Sequence, residues 1–255
     1  MESNVNKTPK LDIYGLTDEG LVREHNEDYI SWYPETGLVI LADGMGGHNA
    51  GEVASELAVT SISDALAEVL SPEIKDSCDM DFKEAVHEAV VFANDEINQH
   101  AKTHPECSGM GTTIVMTLFH NNSVILASVG DSRIYRFRKG ELTQVTTDHS
   151  LVQEMIDNGY MSEEEAMNST NRNLITRALG IAEEVNVDVT QSEIEKDDIY
   201  LLCSDGLSDM ITDQQIFSAL VKTRQELQRG TEELVKLAKD HGGHDNVSVI
   251  LVACK

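Results

Sequence analysis

The chain has 255 residues, of which 40% are hydrophobic and 25% charged, and only four are prolines. This composition is typical of a folded domain and excludes a disordered or collagen-like chain. The formal net charge of −26 argues against binding to nucleic acid or to an anionic membrane, because both depend on lysine and arginine. No apolar run approaches the roughly 18 residues that cross a bilayer. The polar start lacks a signal core, so we expect a cytoplasmic protein.

Hydrophobic periodicity predicts a mixture of helices and strands. In chain order the predicted elements are strands 11–16, 29–33 and 38–41, helices 51–70 and 81–100, strands 112–119, 123–129, 133–138, 185–191 and 199–203, helices 214–221 and 231–239, and strand 247–252. Turn signals at 34–37 and 121–122 separate neighbouring strands, and such short connections favour antiparallel pairing. We therefore expect antiparallel sheet packed against amphipathic helices.

The four cysteines, at positions 78, 107, 203 and 254, do not have the spacing of a metal or redox motif. No pair forms C-x-x-C, and no histidines accompany them at zinc-finger intervals. We predict reduced thiols, with Cys203 and Cys254 as small core residues of apolar strands.

Acidic residues recur where apolar strands begin or end. Dipeptides that contain an acid follow three strands and precede two others. Those that follow are Asp43-Gly44, Asp131-Ser132 and Asp205-Gly206, and those that precede are Glu27-Asp28 and Asp245-Asn246. Any one of these is ordinary turn chemistry. If the five turns converge in one core, however, their ionised carboxylates repel one another, and bound divalent cations remove that cost.

The type of ligand narrows the choice of metal. All the candidate ligands are oxygen atoms, which suits Mg²⁺, Mn²⁺ or Ca²⁺ rather than structural zinc, and the chain has no EF-hand calcium loop. Two metals roughly 3.5–4 Å apart can turn a shared water into a nucleophile for phosphoester hydrolysis. Arg23, four residues before Glu27, is either a surface charge or a bidentate clamp for phosphate oxygens.

Glycine-rich residues 43–51 lie between a strand and a helix, where phosphate-binding loops occur. The segment has neither the G-x-G-x-x-G pattern nor the Gly-Lys-Ser/Thr of a P-loop, and Asp43 at its start repels a bare phosphate. We interpret it as a metal-binding turn whose carbonyls reach a cation or its waters.

Six ordered motifs resemble those of the metal-dependent type 2C Ser/Thr protein phosphatases in their compact bacterial form. They are Arg23-Glu24-His25-Asn26-Glu27-Asp28, Ala42-Asp43-Gly44-Met45-Gly46-Gly47-His48, Gly109-Met110-Gly111-Thr112-Thr113, Gly130-Asp131-Ser132-Arg133, Ser204-Asp205-Gly206-Leu207 and Gly243-His244-Asp245-Asn246-Val247. The match runs from about Leu11 to the C-terminus. Because the motifs span residues 23 to 246, we expect one catalytic domain over 1–255.

The resemblance implies an α+β fold in which two packed antiparallel β-sheets, a β-sandwich, are flanked by α-helices in αββα layers. It also implies a flap subdomain at about 149–180 and two Mn²⁺ or Mg²⁺ ions in a cleft at one end. In the flap, Ser169-Thr170 stands where many relatives carry His-Pro, so the resemblance does not carry over the flap's geometry or its contacts with substrate.

By the same resemblance, each candidate residue has a role. Asp43 bridges the two ions, Gly44 contributes its carbonyl, and Asp205 and Asp245 complete one ion. Glu27 reaches the other ion through water. Asp131 with Asp205 forms a third, weaker site. Arg23 holds the substrate phosphate, and the supporting residues are Asp28, Asn246, Thr112 and His48. Some relatives have a histidine general acid directly after the Asp-Gly, where this chain has Met45. His48 is assigned a structural role at the helix start, with protonation of the leaving oxygen by His48 or by a metal-bound water as the alternative.

The expected function is metal-dependent hydrolysis of phosphoserine and phosphothreonine in proteins, by a metal-bridging water and without a phosphoenzyme. The expected partners are phosphorylated proteins, including a Ser/Thr kinase and its targets, and we expect a monomer. One alternative is a non-catalytic regulator that binds phosphoproteins on the same fold. Another is a hydrolase of small phosphomonoesters or nucleotides.

Overall fold

A computed structural model describes residues 9–46, 50–71, 81–162, 165–166, 169, 171, 173–223 and 226–255. Four residues named from the sequence lie outside these ranges: Gly47, His48, Cys78 and Thr170. The strands are β1 Leu11–Asp18, β2 Asp28–Tyr33, β3 Leu38–Met45, β4 Gly111–Thr112, β5 Ile114–His120, β6 Ser123–Val129, β7 Arg133–Arg138, β8 Glu141–Gln144, β9 Asp188–Glu193, β10 Ile199–Cys203 and β11 Val247–Cys254. The helices are α1 Ala50–Val69, α2 Phe82–Thr103, α3 Leu151–Asp157, α4 Asp205–Ser208, α5 Asp213–Thr223 and α6 Leu227–Asp240.

The strands form two sheets, and all their pairings are antiparallel. One sheet has the order β1-β11-β10-β7-β8, and the other has the order β2-β3-β5-β6-β9, with β4 paired to the end of β3. Helices α1 and α2 cover the second sheet, and α5 and α6 cover the first. The predicted α+β fold, two antiparallel sheets flanked by helices, is therefore confirmed.

Three apolar layers hold the sheets and helices together, and strand alternation explains them. In β3, Leu38 and Ile40 face helices α1 and α2, whereas Val39 and Leu41 face the other sheet. In β10, Leu201 likewise faces helices α5 and α6. Successive side chains of a strand point to opposite faces, so a strand buried on both sides is apolar throughout, as these are. Each fully buried Leu or Ile contributes about 1.5–3 kcal/mol.

Several element bounds differ from the sequence prediction. Strand β3 continues beyond the apolar run 38–41, because Asp43 pairs with Asp28 and Gly44 pairs with Thr112. Strand β9 begins at Asp188 rather than at 185, since Val185 and Val187 pack on the helix-facing core before the pairing with β6 starts. The predicted strand 112–119 is interrupted between β4 and β5.

Three elements were not predicted from the sequence: β8, α3 and the four-residue helix α4. Strand β8 is a four-residue edge strand with no fully buried side chain, and α3 is a seven-residue helix without one. Neither has an apolar face long enough to produce a periodic pattern.

The described cysteines, Cys107, Cys203 and Cys254, are free and buried, which confirms the prediction for these three. Burial raises the pKa of the Cys203 thiol to about 12, so this thiol stays protonated and unreactive at neutral pH. Among the helices that the structure describes, none combines the length and the apolar composition needed to cross a membrane.

Candidate active site

Strand pairing brings the predicted acids to one end of the sandwich. Asp28 opens β2 directly opposite Asp43 in β3. Asp205 begins α4 immediately after β10, and Asp245 lies just before β11, which pairs with β10. Asp131 follows β6. Residues that are more than 200 positions apart in the chain therefore share one region.

The acids are close enough to shift one another's titration. Burial raises the pKa of Asp43 well above its usual value, and the nearby charges of Asp28, Asp205, Asp131 and Asp245 raise it further. The pKa of Asp205 is raised in the same way, by burial and then by Asp131 and Asp245. Because each carboxylate opposes the ionisation of the next, positive charge placed among them stabilises the whole group.

Asp28 belongs to a closed ring of polar side chains between the two sheets. Its Oδ2 accepts a hydrogen bond from Ser204 Oγ at 2.9 Å, and Ser204 Oγ also accepts one from the Ser248 N–H at 3.0 Å. Ser248 Oγ then bonds Thr17 Oγ1, and Asn26 Nδ2 bonds the same oxygen; each distance is 2.7 Å. Asn26 Oδ1 closes the ring by accepting from the Asp28 N–H at 3.1 Å. The hydrogen bonds of this ring hold the buried Asp28 in place.

The other carboxylate oxygen of Asp28, Oδ1, is buried without a hydrogen-bond partner. Burial raises the pKa of this acid to about 6, against the opposing effect of the serine hydrogen bonds.

The backbone around Asp43 is held by two threonines. Thr112 Oγ1 donates to the Asp43 carbonyl at 2.9 Å, and the Thr113 N–H donates to the same carbonyl at 2.8 Å. Thr113 Oγ1 accepts from the Asp43 N–H at 3.2 Å. Gly44 N–H donates to the Glu27 carbonyl at 3.1 Å. These bonds connect β3 both to the start of β5 and to the loop that carries Glu27.

A glycine on α1 leaves room for the Glu27 carboxyl group. A Cβ on Gly51 would lie 2.7 Å from Glu27 Cδ and 2.9 Å from the Gly44 carbonyl carbon. The Glu27 carbonyl accepts a hydrogen bond from Ser55 Oγ at 2.6 Å, which fixes the same loop to the helix. Burial raises the pKa of Glu27, whereas the charge of Arg23 lowers it.

Asn246 holds the loop between β1 and β2 in place. Its Oδ1 accepts from the Glu27 N–H at 2.8 Å, and its Nδ2 donates to the carbonyls of Glu19 and His25 at 3.1 and 2.9 Å. Both the oxygen and the NH2 group of this buried amide bond the loop that carries Arg23 and Glu27. The sequence assigned Asn246 only a general supporting role.

Arg23 forms an ion pair with Asp245 at the edge of the site. The distance from Arg23 Nη2 to Asp245 Oδ2 is 2.7 Å, and the two side chains are 51% and 36% exposed. Exposed pairs of this kind contribute about 0–1 kcal/mol. An anionic group can therefore compete with Asp245 for this guanidinium.

Asp131 is buried and has one oxygen, Oδ1, without a hydrogen-bond partner. Burial raises its pKa to about 6, and the charge of Asp148 adds to the shift. The neighbouring Ser132 Oγ lies 2.7 Å from Thr113 Oγ1. Asp131 is therefore attached to the same threonine pair that holds Asp43.

The chemistry of these residues fits divalent cations. The side chains offer only oxygen ligands, they oppose one another's ionisation, and two buried carboxylate oxygens lack partners, as suits hard cations. Within the described residues, no group of three acid, imidazole or thiol side chains is placed so that it could hold one metal ion.

The structure brings together all the candidate residues that it describes: Arg23, Glu27, Asp28, Asp43, Gly44, Thr112, Asp131, Asp205, Asp245 and Asn246. The sequence missed Gly51, Thr113 and the polar ring around Asp28. Thr113 and Ser204 stand inside recognised motifs, which was the available signal. Thr17 and Ser248 are small polar residues in strands and had none.

Comparison with known proteins finds similar phosphatases. The family model for protein phosphatase 2C matches residues 22–239. A serine/threonine phosphatase, stp, of Listeria monocytogenes is 38% identical over 239 residues, which cover 92% of this chain and 93% of the relative.

Solved structures show the same likeness. A crystal structure of the Mycobacterium tuberculosis serine/threonine phosphatase PstP is 40% identical with a TM-score of 0.86, over 96% of this chain and 99% of that one. Another, of the PstP catalytic domain in complex with two manganese ions, is 40% identical with a TM-score of 0.82, over 95% and 97%. This chain belongs to the protein phosphatase 2C family.

Proposed function

We propose that this chain is one catalytic domain, over residues 1–255, that hydrolyses phosphoserine and phosphothreonine esters in proteins with Mn²⁺ or Mg²⁺. The observation that carries the proposal is the mutual effect of the acids: Asp43 and Asp205 each have a pKa raised by burial and by neighbouring carboxylates. A folded protein that gathers such groups at one end of a sandwich needs positive charge there. Membership of the family supplies the reaction class.

Two ions would be held by the acids described above. Asp43, Asp205 and Asp245 would hold one, Asp43 and, through water, Glu27 would hold the other, the Gly44 carbonyl would add a further ligand, and Asp131 with Asp205 would hold a weaker third. When bound, the ions supply positive charge to the phosphoryl group and lower the pKa of water. The acids of this chain would hold the ions, and therefore their positive charge, at a fixed position.

Arg23 would bind the substrate phosphate. Its guanidinium already lies beside Asp245, and the half-exposed ion pair between them is weak enough to be exchanged for a phosphate. A guanidinium presents paired N–H donors that match two phosphate oxygens. Asn246 would keep Arg23 and Glu27 at the site, because it holds both ends of their loop.

The wider setting is part of the same proposal. The substrates would be phosphoproteins, including those modified by a Ser/Thr kinase, and the protein would act as a cytoplasmic monomer. Its net charge of −26 does not prevent binding of an anionic group at a locally positive site. It would slow association with very acidic substrates.

The experiment is an assay of a phosphothreonine peptide with Mn²⁺, comparing the unaltered protein with Asp43→Asn and Asp64→Asn. Asp64 lies on α1 outside the site, so Asp64→Asn removes one negative charge, as Asp43→Asn does, without altering the acids of the site. We expect Asp43→Asn to lower the rate at least about 100-fold, the scale of lost electrostatic stabilisation in catalysis, and Asp64→Asn to leave it unchanged. Equal rates in all three proteins would refute the proposal.

The two alternatives give different results in that assay. A non-catalytic regulator would bind the phosphopeptide in the presence of chelator and release no phosphate. A hydrolase of small phosphomonoesters would cleave free nucleotides faster than the peptide.

A further inference from the structure

His149, the first residue of the flap, is buried against the residue that precedes Asp131. The His149 N–H donates to the Gly130 carbonyl at 2.9 Å, and the Gly130 N–H donates to His149 Nδ1 at 3.1 Å. His149 is 5% exposed and Gly130 is buried. Both backbone polar groups of Gly130 are therefore satisfied by this one residue.

Gly130 has little freedom to move away from this contact. Its φ is +110°, and a Cβ would lie 2.6 Å from Thr113 Cβ, so the backbone is pressed against that threonine. On the other side of Asp131, Ser132 Oγ bonds Thr113 Oγ1 at 2.7 Å. Asp131 thus projects from a short segment clamped by His149 and Thr113, while its own Oδ1 has no partner.

The other ring nitrogen of His149 is also anchored. Nε2 lies 3.1 Å from Asp188 Oδ2 and 3.3 Å from Arg177 Nη1, and Arg177 Nη1 also lies 3.4 Å from Asp188 Oδ1. Because Nδ1 accepts from the Gly130 amide, the hydrogen-bond network assigns the ring proton to Nε2, which donates it to Asp188. Asp188 therefore selects the tautomer that Gly130 requires.

We propose that His149 is a positioning residue for Asp131, acting through the Gly130 amide, with Asp188 holding the imidazole in the required tautomer. The inference rests on the proposed function in one respect, that Asp131 is a ligand of the weakest ion. It assigns His149 no contact with substrate or ion. Groups that orient metal ligands in this way change metal affinity by roughly 10–100-fold.

The test compares His149→Leu with His149→Asn. Asparagine places an acceptor oxygen near the position of Nδ1, whereas leucine fills similar space without an acceptor. In metal-free protein, hydrogen exchange of the Gly130 amide is measured by NMR. Mn²⁺ binding is then followed by calorimetry, without substrate.

We expect the leucine variant to exchange the Gly130 amide faster and to bind the weakest Mn²⁺ roughly 10–100-fold less tightly, and the asparagine variant to restore most of both. Equal Mn²⁺ affinities for the two variants would overturn the proposal. The proposal would also be overturned if Asp131→Asn bound Mn²⁺ as tightly as the unaltered protein, because Asp131 would then not be a ligand. Failure of the phosphatase proposal is detected separately, by peptide turnover.

A second pair of variants covers the case in which the leucine variant does not fold. Asp188 is 49% exposed, so Asp188→Ala removes the anchor of the ring with little risk to the core. Glu193→Ala removes an exposed acid from the same strand, β9, as the control. We expect weaker Mn²⁺ binding only for Asp188→Ala, and identical titrations would contradict the role given to His149.

Discussion

At the scale of single residues, the site depends on groups that hold the acids rather than on the acids alone. Asn246 uses its whole amide to fix the loop before β2, and Gly51 leaves the space that the Glu27 carboxyl occupies. Both act by position, so their substitution tests the geometry of the site without removing any of its charges.

Asn246→Ala is predicted to lower both stability and activity. The substitution removes three hydrogen bonds from a buried group, and a buried partner left unsatisfied costs about 1–3 kcal/mol. Urea unfolding should show a loss of that size, and kcat/KM on a phosphopeptide should fall about tenfold or more. Asn122→Ala, in an exposed turn, is the control. An Asn246→Ala protein with normal kcat/KM would show that the loop needs no such anchor.

Gly51→Ala is predicted to lower activity while leaving α1 intact. Alanine is about 1 kcal/mol better than glycine inside a helix, so propensity alone favours the variant. The added Cβ would lie 2.7 Å from Glu27 Cδ, so the carboxyl group must move. Calorimetric titration with Mn²⁺ should show weaker binding than in Glu56→Ala, a change on the exposed side of the same helix. Unaltered binding would mean that Glu27 is not a ligand.

At the scale of elements, α2 fixes residues 180–183, where the predicted flap ends. Asn94, fully buried on α2, accepts from the Gly180 N–H at 2.8 Å and donates to the carbonyls of Ala182 and Glu183. One residue earlier, Leu179 forms a two-bond bridge with Thr112. Since Thr112 also bonds the Asp43 carbonyl, Thr112 connects the segment around Leu179 to the site.

Asn94→Ala is therefore predicted to loosen residues 180–183. Three hydrogen bonds from a buried side chain are lost, at a cost of about 1–3 kcal/mol. Limited proteolysis should cut this segment faster, and thermal unfolding should begin earlier. Asn98→Ala is the matched control, because Asn98 also bonds the Ala182 carbonyl but is more exposed. Equal cleavage of the two variants would contradict the special role of Asn94.

At the scale of the whole molecule, the buried acids make stability depend on pH. Burial raises the pKa of Asp28 and of Asp131 from 3.8 to about 6. Between these values the folded protein keeps protons that the unfolded chain has lost. The free energy of unfolding therefore falls by about 3 kcal/mol for either group alone as pH rises from 3.8 to 6. Above pH 6 it no longer changes with the titration of that group.

The prediction is that metal-free protein is more stable at pH 4.5 than at pH 7, and that Mn²⁺ restores stability at pH 7. Urea unfolding with chelator at the two pH values measures it. Asp131→Asn should reduce the pH dependence, whereas Asp64→Asn, which removes the same charge elsewhere, should reduce it much less. A stability that rises between pH 4.5 and 7 would contradict the burial of these acids.

The sequence by itself determined the reaction class, the fold class and the ligand candidates. The ligand candidates stood out because an acid at the end of an apolar strand is a local pattern, whereas the fold class and the reaction class followed from six ordered motifs that resemble those of a phosphatase family. Strands buried on both faces, such as β3 and β10, were recognisable as continuous apolar runs. The edge strand β8 and the helix α3 were not, because neither buries a continuous apolar face.

Only the tertiary structure decided which residues hold those acids in place. The ring from Asp28 through Ser204, Ser248, Thr17 and Asn26 joins both sheets, and no local pattern marks a serine in a strand as its member. The same is true of Gly51, whose importance lies in the space beside a side chain 24 positions earlier in the chain. Hydrogen bonds and close contacts between distant segments depend on sheet register and layer packing, which are fixed when the whole core forms.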